Sequence, residues 1–459
     1  MSSAHLRAKI AKKERRSEDA TPNKVLATPN KVLATPNKVL ATPNKSPCYA
    51  EQKWYVAVDM TLVFLVFIYN WIKMFEQVIT NTKIIKCGSL TAADLDKLIF
   101  YCGGEQAFPC IITDNKPLAP RDRMLDALGN MRDFEVLNRV FPDPKTEDIM
   151  IMADGLKGKP VNVVIGIGGG STLDSAKAVA VVLGNGGDLD DYLGAAATRK
   201  IEKREVKLIL IPTTAGTGSE VTKVGVYTSL TGRKYTLAHP LMQADIAVLV
   251  TDYVHDLPPA ITAYTAFDAL SHALETIWNR NATPLTDRIA IESAVHILKW
   301  METAYDSSLT GSADGRAEML EGACMAGTAF TMTGTAAVHA LSFILSEEWH
   351  VPHGVACAFF LEDVLRLNAG HNKTNQCLAK ITQALFGIND AGMLQDRIIA
   401  LKKKCGLPFT FNDLNINLEE SRIADLFDKS LDDPKMKNNI VPVDGRTVFE
   451  MIKEKISGS

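Results

Sequence analysis

Apolar and polar positions along this chain change period once they leave the N-terminal tail. Between residues 81 and 212 short apolar runs alternate with amphipathic or Ala-rich stretches. Beyond about residue 256 the apolar positions recur only at helical spacing. In the first region, residues 81–87 predict a short strand and 91–101 a helix, with Thr91 as N-cap and Asp94 three residues on. Residues 108–113 predict an apolar strand ending at Asp114. Residues 161–167 form a continuous apolar run, as expected of a parallel strand buried on both faces. A helix over 171–183 and another buried strand over 208–211 follow. In the second region, 261–278, 286–304, 317–331 and 378–386 predict helices. This order predicts an α/β domain with a parallel sheet over 80–255, then an all-α domain over 256–459, with the site in the cleft between them.

The first 79 residues follow neither pattern. Ala-Thr-Pro-Asn-Lys occurs four times, at 20–24, 27–31, 34–38 and 41–45, with Val-Leu between copies. Proline in every copy opposes helix, and Val and Leu alone offer too little burial to offset ordering, so 1–50 are expected to be a disordered tail. The basic run Arg7, Lys9, Lys12, Lys13, Arg15 and Arg16 leaves organelle targeting open, although transit peptides are poor in acids and three follow here. Residues 60–72 carry no charge, but thirteen residues fall short of the roughly 18–20 a spanning helix needs. Extending the segment to Tyr55 would bury Asp59. Residues 51–79 therefore read as an apolar segment that either packs on the body or touches a membrane.

Composition is that of a globular protein, with 459 residues, 46% of them apolar and 22% charged. Its eight cysteines include no Cys-x-x-Cys, which excludes a disulfide scaffold and argues against a zinc finger. The net charge of −3 divides into +7 over residues 1–50 and −10 over the rest. The body is therefore acidic, and nucleic acid is not an expected partner.

Two segments suit phosphate. Gly166-Ile167-Gly168-Gly169-Gly170-Ser171 lies between a buried strand and an Ala-rich helix, where backbone N–H groups can face a pyrophosphate. Ser171 stands where the usual dinucleotide fingerprint has a third glycine. Pro212-Thr213-Thr214-Ala215-Gly216-Thr217-Gly218-Ser219-Glu220 again follows a buried strand. A third signal is metallic. Asp268 and His272 are four apart, on one face of a predicted helix, and His339 and His353 lie fourteen apart downstream. One carboxylate and three imidazoles suit divalent iron or zinc with a position left for substrate, although Asp268 and His272 alone read more readily as a surface pair.

Gly168–Ser171 with Asp174 and Lys177, then Pro212–Glu220, Asp268–His272 and Pro352–Gly354, resemble the iron-containing alcohol dehydrogenase family in order and spacing. The resemblance runs from about residue 80 to the C-terminus. It implies a dehydroquinate synthase-like architecture, NAD(P)-linked alcohol–aldehyde oxidoreduction, Fe²⁺ with Zn²⁺ as the alternative, and NAD(H) with NADP not excluded. Position by position it implies Asp268, His272, His339 and His353 as metal ligands. It also implies Gly168, Gly169, Gly170 and Ser171 as the pyrophosphate turn, and Thr213, Thr214 and Lys234 as cofactor contacts. Asp114 would face the adenosine ribose, where an acid favours NAD over NADP.

Three positions depart from the family pattern. Phe343 stands where many members have a proton-relaying His, and Ala266 and Ala244 replace a common Gly and Pro. The wording around 268–284, 339–342, 351–354 and 438–442 looks most like phosphonoacetaldehyde reductases, which make 2-hydroxyethylphosphonate. That subgroup needs a cation for the phosphonate, and Arg280 and Lys223 are the candidates. The alternatives are a general alcohol, lactaldehyde or glycerol-type dehydrogenase, and an inactive tethered scaffold. A small aldehyde or alcohol substrate, a homodimer and a cytoplasmic location complete the expectations.

Overall fold

The computed structural model describes residues 81–417 and 419–457. The repeat tail and the apolar segment 60–72 lie outside them. Strands β1 (Lys83–Cys87), β2 (Pro109–Thr113) and β3 (Glu135–Leu137) are interleaved with helices α1 (Ala92–Gly103), α2 (Ala119–Gly129) and α3 (Thr146–Asp154). Then come β4 (Val163–Gly168), α4 (Gly170–Asn185), β5 (Lys207–Pro212), a hairpin of β6 (Val224–Thr228) and β7 (Lys234–Ala238), and β8 (Ile246–Val250). Six strands form one sheet in the order β1-β8-β5-β4-β2-β3. Every pairing in it is parallel.

The interior strands are apolar throughout because both faces are covered. Alternate residues enter opposite cores. Ile111, Ile165, Ile209 and Val248 pack with Leu95 of α1 and Leu128 of α2. Cys110, Val164 and Leu208 pack with Ile149 of α3 and Val179 of α4. β8 links the two halves of the chain, since its Ala247 and Leu249 belong to the core of the helical half.

That half contains α5 (Pro259–Ile277), α6 (Pro284–Thr310), α7 (Arg316–Thr333), α8 (Ala337–Trp349), α9 (His353–Ala369), α10 (Asn372–Phe386), α11 (Gly392–Lys404), α12 (Glu420–Asp428) and α13 (Gly445–Ser457). α5 begins with Pro259 in its first turn and is buried at every position from Ala266 to Ile277. It is the central helix, packed on α6, α7 and α9. Among the described residues no single helix is long and apolar enough to cross a membrane.

The predicted elements are present with shifted ends. Thr91 caps α1 through its side chain. α6 runs on to Thr310, where Gly311 in the left-handed region stops it. Strands β3 and β8, the β6–β7 hairpin and helices α2, α3, α8, α9 and α11–α13 went unread.

Candidate metal and nucleotide site

α5 is buried on all sides, so each polar side chain on it must be satisfied or bind something. Three such residues are Asp268, His272 and Glu275, at 3%, 5% and 0% exposure. Asp268 and His272 share a face, with His272 Nδ1 3.8 Å from Asp268 Oδ1. Two further imidazoles arrive from other helices. His339 lies in the first turn of α8 and His353 opens α9. Their Nε2 atoms each lie 3.6 Å from Asp268 Oδ1. The rings of His272 and His339 stack at 4.5 Å, and Phe330 covers the other face of His272 at 4.2 Å. His353 is the open side of the group, at 32% side-chain exposure against 4% for His339.

These residues fit a divalent cation. His272 Nδ1 and His339 Nε2 are buried with no hydrogen-bond partner, and both face the Asp268 carboxylate. Spacings of 3.6–3.8 Å are too long for hydrogen bonds and close to those between donors of one ion bound at about 2 Å.

The electrostatics agree. Burial opposes charge on Asp268, yet the imidazoles outweigh it, His272 foremost, and hold its carboxyl well below the usual carboxylate range. Burial pushes His272 down to about 3 against the pull of Asp268, which leaves a neutral ring with a lone pair to donate.

The sequence reading gave Glu275 no role, and the structure gives it one. Its carboxylate accepts from the backbone N–H of Ala336 at 2.9 Å and of Val338 at 2.6 Å, at the start of α8. His339 Nδ1 lies 2.5 Å from Glu275 Oε2. That bond turns Nε2 toward the metal group, as carboxylate–histidine pairs do in metal sites. Cys357 was also missed. It lies one turn after His353, with Sγ 3.8 Å from His353 Nε2 and 4.0 Å from Asp268 Oδ1. The i,i+4 spacing that singled out Asp268 and His272 would have found it.

The two glycine segments lie side by side, with Thr213 N–H donating to Gly168 O at 3.0 Å. α4 starts at Gly170 with Gly169 as its cap and no side chain bonded to the first-turn N–H groups, which suits an incoming anion. Ser171, Thr213 and Thr214 are half-buried around this turn. A Cβ on Gly170 would come within 2.6 Å of the Thr217 side chain, which a larger residue there would have to displace. Asp174 and Lys177 do not face this turn. Ser219 Oγ donates to Asp174 Oδ1 at 2.6 Å, and Lys177 Nζ donates to Ser219 Oγ at 2.6 Å and Val224 O at 2.6 Å. They brace α4 against the second segment.

That second segment also touches the metal helix. A Cβ on Gly216 would stand 3.0 Å from the Thr265 backbone of α5. Gly218 lies so close to Gly327 of α7 that a Cβ on either would meet the other's backbone at 2.6 Å. Asp114 sits at the end of β2, 3.2 Å from the buried Arg121 guanidinium.

The likeness to known proteins extends over most of the described body. One model, "Iron-containing alcohol dehydrogenase", matches residues 83–251, and its C-terminal counterpart matches 262–456. The 1-propanol dehydrogenase PduQ of Salmonella typhimurium is 30% identical over 347 residues, covering 72% of this chain and 88% of its own. The chain belongs to the iron-containing alcohol dehydrogenase family. Within that family, the long-chain-alcohol dehydrogenase 1 of Geobacillus thermodenitrificans is 38% identical over 234 residues, and the chain spans 58% of its length. The solved sulfoacetaldehyde reductase of Bifidobacterium kashiwanohense, in complex with NAD+, superposes with a TM-score of 0.74 at 27% identity, covering 83% of this chain and 98% of that one.

The remaining positively charged candidates lie elsewhere on the body. Arg280 is exposed, and its Nε donates to Asn439 O at 2.9 Å, so it is a structural strut. Lys223 is half-buried, and its backbone N–H donates to Thr331 Oγ1 at 3.0 Å. Lys234 lies beside α8, with Nζ 2.7 Å from Asp143 and 6.0 Å from the Phe343 ring centre. Lys435 Nζ stands 3.9 Å over that same ring. Phe343 in turn meets His353 edge-on at 6.0 Å.

Proposed function

We propose that this member of the family reduces phosphonoacetaldehyde to 2-hydroxyethylphosphonate, with NADH as the preferred donor. The observation that carries the reading is the pair of ammonium groups on Phe343, one ring away from His353. An aldehyde held at the metal group would reach toward these cations with its far end. An anionic head group there gains charge-assisted hydrogen bonds that a plain alkyl chain does not. Asp143 and Asp433 fix the two lysines in place rather than leaving them free in solvent. The likeness to a sulfoacetaldehyde reductase, whose named substrate also pairs an aldehyde with an anion, supports the same reading.

Asp268, His272, His339 and His353 are proposed to hold the ion, Glu275 orients His339, and Gly168–Ser171 with Thr213 and Thr214 receive the pyrophosphate. A bound divalent ion supplies Lewis acidity at the aldehyde oxygen, and the nicotinamide supplies hydride. Burial of Asp268 and His339 keeps water from the inner side of the group. Phe343 cannot carry a proton, so the proton for the product oxygen arrives by water or a ribose hydroxyl along the half-open His353 side.

Following NADH consumption with phosphonoacetaldehyde, sulfoacetaldehyde and propanal tests the substrate. The expected result is the highest kcat/KM for phosphonoacetaldehyde. Lys435→Ala should raise KM for both anionic aldehydes by about tenfold, the worth of one charged hydrogen bond, and leave propanal unchanged. Propanal turned over as well as either anion sinks the proposal. It would favour the second reading, a general alcohol, lactaldehyde or glycerol-type dehydrogenase. That reading has one observation behind it: both lysines already carry a carboxylate partner.

A further inference from the structure

Cys357 is buried in the middle of the donor group, not beside it. Its Sγ and single donor atoms of Asp268, His339 and His353 all lie within 4.8 Å of one another. Sγ is 3.8 Å from His353 Nε2 and 4.0 Å from Asp268 Oδ1, while the Asp268 oxygen is 3.6 Å from each of the two imidazole nitrogens. Donors around one four- or five-coordinate ion, with N and O at about 2.0–2.2 Å and S at about 2.3 Å, are separated by distances of this order, the sulfur edges being longer. The longest of these four spacings is a sulfur edge. A second observation points at the same centre, since the unpartnered Nε2 of His339 faces it from a side chain only 4% exposed.

From this geometry we infer that Cys357 is a metal ligand, binding the ion through sulfur beside Asp268, His339 and His353. The inference rests on the reading of that carboxylate and those imidazoles as an ion site, and adds a fifth protein donor to the four expected. When the ion binds, the Cys357 S–H bond breaks, the sulfur–metal bond forms and the proton leaves to solvent. A thiolate in the set favours a divalent ion with affinity for sulfur, such as zinc or cobalt, over magnesium or manganese. His353 and Cys357 share a face of α9, so one helix turn supplies both a nitrogen and a sulfur donor.

The test is optical and independent of turnover. The full chain is stripped with a chelator and reloaded with one equivalent of Co²⁺. Visible d–d absorption reports occupancy, and a near-ultraviolet sulfur-to-cobalt charge-transfer band reports a thiolate ligand. The expected result is both signals in the wild type, loss of the near-ultraviolet band in Cys357→Ser, and its retention in Cys324→Ser. Cys324 is the control because it is a buried thiol of the same helical half. Full d–d absorption without the sulfur band overturns the inference and leaves the ion site standing. A sulfur band unchanged in Cys357→Ser overturns it as well. No d–d absorption at all sinks the ion site, and the inference with it. Should Cys357→Ser fail to fold, the wild-type spectrum still decides, since absence of the sulfur band there is fatal.

Discussion

Glu275 and His339 are joined by a 2.5 Å contact between Oε2 and Nδ1, although they are 64 positions apart. The same carboxylate closes the start of α8. Glu275→Ala would leave those buried N–H groups and the imidazole without an acceptor. The expected cost is about 3 kcal/mol of stability. Ion affinity should fall by about ten- to hundredfold, as when other outer partners of metal-bound histidines are removed. Chemical denaturation and a metal titration check the two effects separately. Unchanged ion affinity in a folded Glu275→Ala protein would show that His339 is oriented by something else.

Gly354 sets how closely α9 lies on α5. A Cβ there would stand 2.1 Å from the carbonyl oxygen of Tyr264 and 2.6 Å from its carbon. Both are backbone atoms of the central helix, so the helices must part. Gly354→Ala should cost about 1–3 kcal/mol of stability, the usual range for overpacking. It should also weaken ion binding, because His353 precedes Gly354 while Asp268 stays on α5. Cobalt occupancy of the folded variant measures this, and wild-type occupancy would contradict it.

Glu220 and Lys177 give stability a distinctive pH profile. Burial pushes the Glu220 carboxyl up from 4.5 to about 7 and the Lys177 ammonium down from 10.5 to about 8. A raised carboxyl contributes stability that is complete below its unfolded value of 4.5 and lost as pH rises through about 7. A lowered ammonium contributes stability that is complete above 10.5 and lost as pH falls through about 8. Their combined contribution to stability in urea therefore falls from pH 5 toward a minimum between about 7 and 8, while His272, lowered to about 3, contributes in the opposite sense below 6.5. Glu220→Gln should flatten the acidic limb and keep the alkaline one. An acidic limb of equal slope in wild type and variant would refute the assignment.

The proposed preference for NADH rests on Asp114, with Arg121 beside it. The carboxylate repels a 2′-phosphate, and the guanidinium 3.2 Å away would attract one. Asp114→Ala should shift the ratio of kcat/KM for NADH over NADPH by tenfold or more toward NADPH, about the worth of one charged contact. An unchanged ratio would move the ribose contact elsewhere.

The phosphate turns and the Asp268–His272 pair were legible because each is local, fixed by a few residues at one end of a strand or on one helix face. The interior strands β2, β4 and β5 were legible for the same reason, since burial on both faces leaves a continuous apolar run, whereas β8, equally apolar, went unread. What escaped was assembled by packing. Glu275 could not be linked to His339 without knowing that α8 starts against α5. Cys357 carried a readable i,i+4 signal, but its meaning depended on three helices meeting. Arg280 was a reasonable cation on charge alone, yet it turns to Asn439, whereas Lys435 reaches Phe343 from far along the chain. Charge is visible in a sequence, but its direction is set by the fold.

The contact of Gly218 with Gly327 bears on how this molecule could be rebuilt. The two halves look like portable modules, and grafting a nucleotide half from a relative onto this helical half is an obvious way to change cofactor choice. Because a Cβ on either residue would strike the other's backbone at 2.6 Å, the seam accepts no side chain there. A graft bringing any other residue to position 218 would lift the second glycine segment off α7 and, through Gly216, off α5. The halves can be exchanged only as a matched pair of glycines.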